Sequence, residues 1–309
     1  MRDLHLVASL LSEAGHDVES VAFGKEKAVR ALHLGGMWLA QGWRGRADVQ
    51  ISLEHVYPQS FRLARRNLLV PNPEWWRPGY HASLPRIDAM LCKTLHSQRI
   101  FSGIGCDARY TGFTSDDRLD AGVPRRREFL HLAGRSPVKG TEAVLEAWRR
   151  HPEWPRLVVV QGPRHARPGV PVANIEHRIG RVDDGDLRRL QNACMFHICP
   201  SEAEGFGHCL VEGLSVGAIS VTTDGEPMNE VVGTDAGLLI PAVRTVPMGL
   251  ARRYYVDVRG VEDAVERLLA MDDRGIEAMS QRARQRFERL DSGFRRRLAD
   301  AVADAGQLH

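Results

Sequence analysis

The residues best suited to chemistry lie in the stretch from Pro200 to Gly213, which follows an apolar run and precedes apolar residues at helical spacing. The pattern predicts a buried strand, a tight turn and a helix. Gly205 and Gly207 let backbone amides approach a ligand, and the start of a helix offers unpaired N–H donors and a positive dipole end to an anion. Glu204 and Glu212 add carboxylates, which accept hydrogen bonds from hydroxyls but repel phosphate. A sugar nucleotide carries both phosphate and hydroxyls and fits this stretch.

A second loop, Gly134 to Gly140, also stands between a predicted strand and a predicted helix. Arg135 and Lys139 in it can reach a diphosphate from one side while the amides of Phe206 and Gly207 meet it from the other. Arginine and lysine in loops are usually just solvated. Two strand-to-helix loops of one sheet that both offer anion donors make a stronger case for a site than either loop alone.

Strands and helices alternate along the chain, which predicts an α/β fold with parallel sheets. The first half opens on a helix, Leu4 to Ala14, and then shows a strand-like alternation from Val18 to Phe23. Its other predicted strands are Val49 to Leu53, Asn67 to Val70, Ala89 to Lys93 and Ala108 to Phe113, and its other predicted helices are Ser60 to Arg66 and Leu95 to Ile100. Periodicity lapses from Thr114 to Arg127, where we expect a domain boundary.

The second half alternates in the same way and carries an ordered series of motifs: Gly134-Arg135, Lys139-Gly140, Glu204-Gly205-Phe206-Gly207, Glu212, Gly217, Pro227 to Glu230, and Gly237. These motifs resemble those of the retaining family 4 glycosyltransferases (glycosyl transferases group 1) of GT-B architecture. The resemblance covers roughly Glu128 to Pro241. It implies two Rossmann-like domains with parallel sheets facing a cleft and a last helix that crosses back: 1–120 for the acceptor, 125–280 for the nucleotide sugar, and an arginine-rich helix, 281–309, packing on the first domain.

This resemblance implies transfer of a sugar from a nucleoside diphosphate to a hydroxyl, with retention at the anomeric carbon and with neither a metal nor a cofactor required. Retention through a covalent intermediate on Glu204 and same-face attack assisted by the leaving phosphate both remain open, and the resemblance favours the second. The nucleotide can be UDP, GDP, ADP or TDP. By the same likeness Arg135 and Lys139 neutralise the diphosphate, Glu204 contacts the donor sugar, Glu212 binds the ribose, Gly205, Phe206, Gly207 and His208 lie at the phosphate, and Glu230 matches a further donor-site acid.

The acceptor side is less defined, and its candidates are Glu54, His55, Asn72 and Glu74. Trp75 and Trp76 can form a sugar-stacking wall or can pack against the domain. The chain begins directly in the helix that usually follows the first strand of such a domain, so we expect either an upstream start or a shortened acceptor domain. His208 stands where the family often has an apolar or small residue, and it can donate to phosphate or simply be satisfied at the helix start.

Composition places the chain among ordinary globular proteins. It has 309 residues, of which 43% are hydrophobic and 26% charged, and its five cysteines form no Cys-x-x-Cys pair, which favours reduced thiols. We find no signal-peptide pattern and no long apolar run, and expect a cytoplasmic protein. The acids of Asp183 to Asp186 read as a helix cap and first turn rather than as a metal site.

The segment from Gln281 onward holds seven arginines against four acids and accounts for the net charge of +3. A docked helix with a solvated arginine face is one interpretation, and contact with an anionic partner through residues 282–297 is another. The acceptor can thus be a glycan, a small molecule, a lipid or a polyanion such as modified nucleic acid. A donor-binding but inactive subunit is the interpretation outside enzymes.

Overall fold

The computed structural model describes residues 2–23, 27–167 and 169–307. The chain divides into two compact units, one comprising Met1–Phe113 with Ser292–His309 and the other Thr114–Asp291. Each has a parallel sheet of its own, as the expected α/β fold requires.

The first unit has a four-stranded parallel sheet in the order β1-β2-β3-β4. Short 3-10 helices at Pro58–Ser60, Pro73–Trp75 and Pro78–Arg86 lie between strands, each starting with a proline whose fixed φ suits a helix start. The main elements are α1 (Arg2–Glu13), α2 (Lys27–Arg44), β1 (Ala47–Leu53), β2 (Ala64–Val70), β3 (Ala89–Cys92), α3 (Leu95–Gly103) and β4 (Ala108–Tyr110).

Two predicted elements of this unit are wrong. Val18 to Phe23 alternates in polarity but forms no strand, because alternation alone does not supply a ladder partner for the backbone. Ser60 to Arg66 is not a helix, since the 3-10 turn ends at Ser60 and β2 begins at Ala64. Helix α2 was not predicted, and it leaves Leu39 and Trp43 exposed.

The second unit has a six-stranded parallel sheet in the order β10-β9-β8-β5-β6-β7 and an antiparallel hairpin, β11-β12. Strands β6, β8 and β9 are buried almost throughout, as expected for a parallel sheet covered on both faces. Its elements are β5 (Arg126–Gly134), α4 (Thr141–Arg150), β6 (Leu157–Gln161), β7 (Ile175–Ile179), α5 (Asp184–Ala193), β8 (Cys194–Cys199), α6 (His208–Ser215), β9 (Ile219–Asp224), α7 (Met228–Ala236), β10 (Gly237–Pro241), β11 (Arg244–Met248), β12 (Ala251–Tyr255), α8 (Val258–Leu269) and α9 (Asp273–Gln307).

Aromatic packing organises the core of this unit. The Phe129 ring lies 4.9 Å from Trp148 and 4.8 Å from Phe196, so β5 is held to α4 on one side and to β8 on the other. The chain leaves β5 toward β6, whereas β8, the other neighbour of β5, begins the half of the sheet that continues to β9 and β10. The loops after β5 and β8 therefore flank the point where strand order reverses, which is where open α/β sheets bind ligands.

Helix α9 contributes to both units by its two ends. In the first unit the Phe294 ring lies 4.8 Å from Phe113, and Arg297 donates to the Thr111 carbonyl at 2.8 Å. In the second unit Arg284 pairs with Asp117 at 2.7 Å. Most arginines of the 282–297 segment are thus engaged within the chain rather than simply solvated, and Arg282, Arg286 and Arg295 add hydrogen bonds to Asp235, Val231 and Glu13.

Candidate donor site

The turn after β8 and the start of α6 have the geometry that the glycines predict. Gly207 caps α6 in the left-handed region at φ 94°, and a Cβ there would approach Leu210 Cδ1 at 3.0 Å. The first amides of α6 consequently point out of the turn as they do at any helix start. Glu212 lies on the buried side of α6 and is 6% exposed.

The loop after β5 is joined to this turn by backbone contacts. Glu202 N donates to Val138 O at 3.0 Å. Gly140, at φ 64°, caps α4, and a Cβ there would lie 2.4 Å from Pro200 O. Only glycine permits this approach, so the two loops form one surface.

A partly buried ion pair connects the same two loops. Lys139 Nζ donates to Glu204 Oε1, and the side chains are each 14% exposed. The ammonium also lies 3.7 Å from Cys209 Sγ. Burial alone would lower the pKa of Lys139, but Cys209 and Glu204, together with the hydrogen bond to Glu204, hold that pKa above its ordinary value. Lys139 therefore stays cationic at neutral pH.

A fully buried histidine, His131, links the two strands that precede these loops. His131 Nδ1 lies 2.7 Å from Ile198 O and Nε2 lies 2.9 Å from Thr141 Oγ1. Burial lowers the pKa of His131 to about 4, so the ring is neutral. Because a carbonyl only accepts, Nδ1 carries the proton and Nε2 accepts from Thr141. This ring ties β5, β8 and the first turn of α4 together.

Arg135 is exposed beside Gly162, where a Cβ on Gly162 would meet Arg135 Cγ at 3.0 Å. Its guanidinium makes no hydrogen bond or ion pair with any residue that the structure describes. Arg135 thus keeps its five donors for an incoming group.

The other predicted donor residues lie on the same edge of the sheet. The Phe206 ring is buried and stands edge-on to His208 at 5.5 Å, and His208 Nδ1 lies 2.6 Å from Ser115 Oγ. Glu212 Oε2 accepts from Gln191 Nε2 at 2.6 Å. Glu230 lies in the first turn of α7, after β9. Gly205 lies in the turn itself.

The hairpin β11-β12 also reaches this turn, which the sequence patterns did not reveal. Tyr254 N donates to Glu202 O at 2.7 Å, and Arg253 Nε donates to the Glu202 carboxylate at 2.5 Å. A Cβ on Gly225 would meet the Tyr254 ring at 2.5 Å. The hairpin therefore fixes Glu202, two residues before Glu204.

Two of the acceptor-side candidates come together in the first unit. Asn72 Nδ2 donates to Glu54 Oε1 at 2.8 Å, and that oxygen lies 3.7 Å from Lys93 Nζ. Lys93 is 3% exposed and pairs with Asp3 at 2.7 Å. Glu54 has a φ of 63°, a strained conformation for a residue other than glycine. The sequence patterns had not singled out Lys93 or Asp3.

The remaining acceptor-side candidates lie apart from this cluster. His55 is exposed, with its ring 6.2 Å from Tyr57, and Glu74 is buried in the 3-10 helix after β2. Trp76 packs in the unit, 4.9 Å from the Phe101 ring, whereas Trp75 is 59% exposed. Packing is thus the outcome for Trp76, and only Trp75 remains available as a stacking surface.

The acids before α5 behave as a helix start. Asp183 caps α5 by accepting from Asp186 N at 2.9 Å, and Asp184 pairs with Arg118 at 2.9 Å, which confirms the capping interpretation. Within the described ranges, no group of three or more His, Cys, Asp or Glu side chains is arranged to hold a metal ion. Over the same residues, no helix has the length and apolar content to cross a membrane.

Comparison with known proteins gives one family match and a set of similar structures. Residues 117–246 match the family model described as Glycosyl transferases group 1, which confirms that part of the expected resemblance. None of the curated proteins matches the sequence.

Solved structures match over most of the chain at low identity. A glycosyltransferase from Rickettsia africae has a TM-score of 0.71 at 14% identity, covering 100% of this chain and 95% of its own. The sucrose-phosphate synthase of Thermosynechococcus elongatus has a TM-score of 0.68 at 15% identity, covering 97% and 90%. The GtfA/B complex has a TM-score of 0.65 at 17% identity over 88% of this chain, which spans only 60% of that one. The segment 117–246, which holds the Lys139–Glu204 pair, is therefore a glycosyl transferases group 1 match within a GT-B fold.

Proposed function

We propose that this protein is a retaining glycosyltransferase that moves a sugar from a nucleoside diphosphate to a hydroxyl acceptor without a required metal. The observation that carries the proposal is the partly buried Lys139–Glu204 pair at the carboxyl edge of the sheet, between two loops that both offer anion donors. The family match over residues 117–246 supports it. The functional division into 1–120, 125–280 and 281–309 and a cytoplasmic location belong to the same proposal.

The proposed chemistry follows from charge. Departure of a nucleoside diphosphate builds negative charge on its phosphate, and fixed cations and amides aimed there stabilise the transition state more than the ground state. Lys139 and Arg135 supply the cations, and the amides of Phe206, Gly207 and His208 supply the dipoles. When the diphosphate draws Lys139 toward itself, the Glu204 carboxylate is released to accept hydrogen bonds from the donor sugar.

Glu212 and Glu230 complete the proposed donor site, with Glu212 at the ribose. The donor is a UDP-, GDP-, ADP- or TDP-sugar. Anabaena HepE, a structural neighbour, was solved with UDP and glucose, which makes UDP-sugars the first to test. For retention we favour same-face attack, in which the leaving phosphate takes the acceptor proton.

The acceptor is proposed to bind near Glu54 and Asn72, since a carboxylate and an amide suit hydroxyl groups. His55 and Glu74 stay as secondary candidates. An anionic partner at the 282–297 arginines is a weaker proposal, because most of those side chains already serve contacts within the chain.

The decisive experiment is a hydrolysis and transfer assay over a panel of nucleotide sugars, run with EDTA and with wild type beside Glu204→Gln. We expect turnover in EDTA and an α-configured product from an α-linked donor by NMR. Glu204→Gln should lose most of the hydrolysis and transfer activity. Unchanged activity in Glu204→Gln would refute the site, an inverted product would refute retention, and nucleotide binding without turnover would favour the inactive subunit.

A further inference from the structure

A chain of buried hydrogen bonds runs to Glu212 from the segment that opens the second unit. Arg118 Nε donates to Gln191 Oε1 at 3.0 Å, and Gln191 Nε2 donates to Glu212 Oε2 at 2.6 Å. Arg118, Gln191 and Glu212 are 9%, 0% and 6% exposed, so water does not substitute for these partners. The three residues lie on three different parts of the chain that only folding brings together.

Arg118 sets the direction of donation along this series of hydrogen bonds. A glutamine amide can in principle present either its oxygen or its nitrogen to a neighbour. A guanidinium only donates, so Gln191 must turn its oxygen to Arg118 and its two N–H donors toward Glu212. A carboxylate that accepts this bond has one favoured orientation.

Arg118 is itself held firmly. Its guanidinium pairs with the Asp184 carboxylate at 2.9 Å and donates to the Asp184 carbonyl at 3.0 Å. Its backbone N donates to Ser215 Oγ at 3.1 Å, and Ser215 in turn donates to Glu212 O at 2.8 Å. Arg118 is therefore linked to Glu212 in two ways. Its side chain reaches the Glu212 carboxylate through Gln191, and its backbone N–H reaches the Glu212 carbonyl through Ser215.

We propose that Arg118 is a positioning residue for recognition of the donor ribose: it orients Gln191, and Gln191 holds the Glu212 carboxylate toward the ribose hydroxyls. The inference rests on the proposed function, in which Glu212 binds the ribose. The inference also restricts the class of donor nucleotide to ribonucleotides. A carboxylate held in one orientation distinguishes a ribonucleotide, with two adjacent hydroxyls, from a nucleotide that lacks them, because a site built for hydroxyls is left unpaired by the analogue.

The test is calorimetric titration with whichever of UDP, GDP or ADP binds wild type most tightly, and with its 2′,3′-dideoxy analogue. The measured quantity is the ratio of the two Kd values. We expect a ratio of about ten or more in wild type, as for loss of a hydrogen bond to a charged group. The ratio should approach one in Glu212→Gln, in Arg118→Met and in Gln191→Met, which leaves the Arg118–Asp184 pair intact in case Arg118→Met does not fold.

Arg125→Met is the matched control. Arg125 comes from the same segment and donates to Ser280 Oγ at 2.9 Å and to Gly217 O at 2.8 Å, and its hydrogen bonds to described residues do not include Gln191 or Glu212. It should lower stability and leave the ratio unchanged. If Glu212→Gln loses discrimination while folded Gln191→Met and Arg118→Met keep it, the positioning role is overturned and the donor site stands. If no nucleotide binds wild type, the proposed function fails and takes the inference with it. If Glu212→Gln still discriminates, Glu212 does not recognise the ribose and the inference alone fails.

Discussion

Each unit holds a lysine beside a carboxylate at the end of parallel strands, but the two surroundings differ. Lys139 in the second unit pairs with Glu204 next to the start of α6, where helix dipole and backbone donors add positive potential. Lys93 in the first unit faces two acids, Asp3 at 2.7 Å and Glu54 at 3.7 Å, so carboxylates outnumber the cation. By charge alone, the surroundings of Lys139 favour a phosphate ligand, as proposed, and those of Lys93 favour hydroxyl groups.

The strongest test of this difference is Lys139→Met. Removing the cation should lower kcat by about 10²- to 10³-fold, the usual effect of deleting a group that stabilises transition-state charge. The kinetics are measured with the best nucleotide sugar from the panel. Lys139→Arg, which keeps the charge, should retain more activity than Lys139→Met, and equal rates for the two variants would contradict a charge role.

Lys93→Met should act on stability instead. It leaves Asp3 and Glu54, whose side chains are 17% and 43% exposed, without their cation. Breaking a fully buried pair costs about 3 kcal/mol or more, and solvent at Glu54 lowers the expected cost here to about 1–2 kcal/mol. Hydrogen exchange at the β2 and β3 amides would report this loss in the first unit. The Kd of the nucleoside diphosphate should stay as in wild type, and a weakened Kd would show that the first unit shares in donor binding.

Gly140→Ala tests how much the close backbone contact between the two loops of the second unit contributes. The new Cβ would meet Pro200 O at 2.4 Å at a φ of 64°, so the two donor loops must separate. Strain and overpacking together should cost about 3 kcal/mol, with weaker nucleotide binding. Gly105→Ala in the first unit is the matched control, since φ is 84° but no atom lies within 4 Å. Its cost should be only about 1 kcal/mol, measured for both variants by thermal and urea unfolding. Similar costs for both would mean that the loop contact is unimportant.

The last prediction concerns the dependence of stability on pH. Burial lowers the pKa of both His131 and His197 to about 4, whereas histidine in the unfolded chain titrates near 6.5. Between those values the unfolded state binds more protons, so the free energy of unfolding falls as pH falls from about 6.5 toward 4, by up to about 1.4 kcal/mol per pH unit for each histidine. Hydrogen exchange at the β5 and β8 amides measures this free energy of unfolding at each pH.

His131→Gln provides the control for that slope. Glutamine can donate to Ile198 O and accept from Thr141 without titrating, so the variant should lose about half of the pH dependence. An unchanged slope would place the acid sensitivity of the second unit elsewhere.

The sequence by itself determined the elements of the candidate donor site. The strand, glycine turn and helix around Glu204 and Glu212 follow from local patterns, because apolar period and glycine placement act over a few neighbouring residues. The cap at Asp183 was predictable for the same reason. Local alternation also misled, since Val18 to Phe23 has the pattern of a strand and lacks the ladder partner that a strand requires.

Tertiary structure alone decided which side chains meet. Lys139 and Glu204 are 65 positions apart, and Lys93 and Asp3 are 90 apart, so no local pattern encodes either pair. Both pairs depend on strand order, which places loops from distant segments at one edge of a sheet. Gln191 carries no sequence signal, because a buried glutamine is recognisable only once burial and its two partners are known. Local sequence thus determines which chemical groups lie at this edge of the sheet. Long-range packing determines which charges pair there and which way the side chains point.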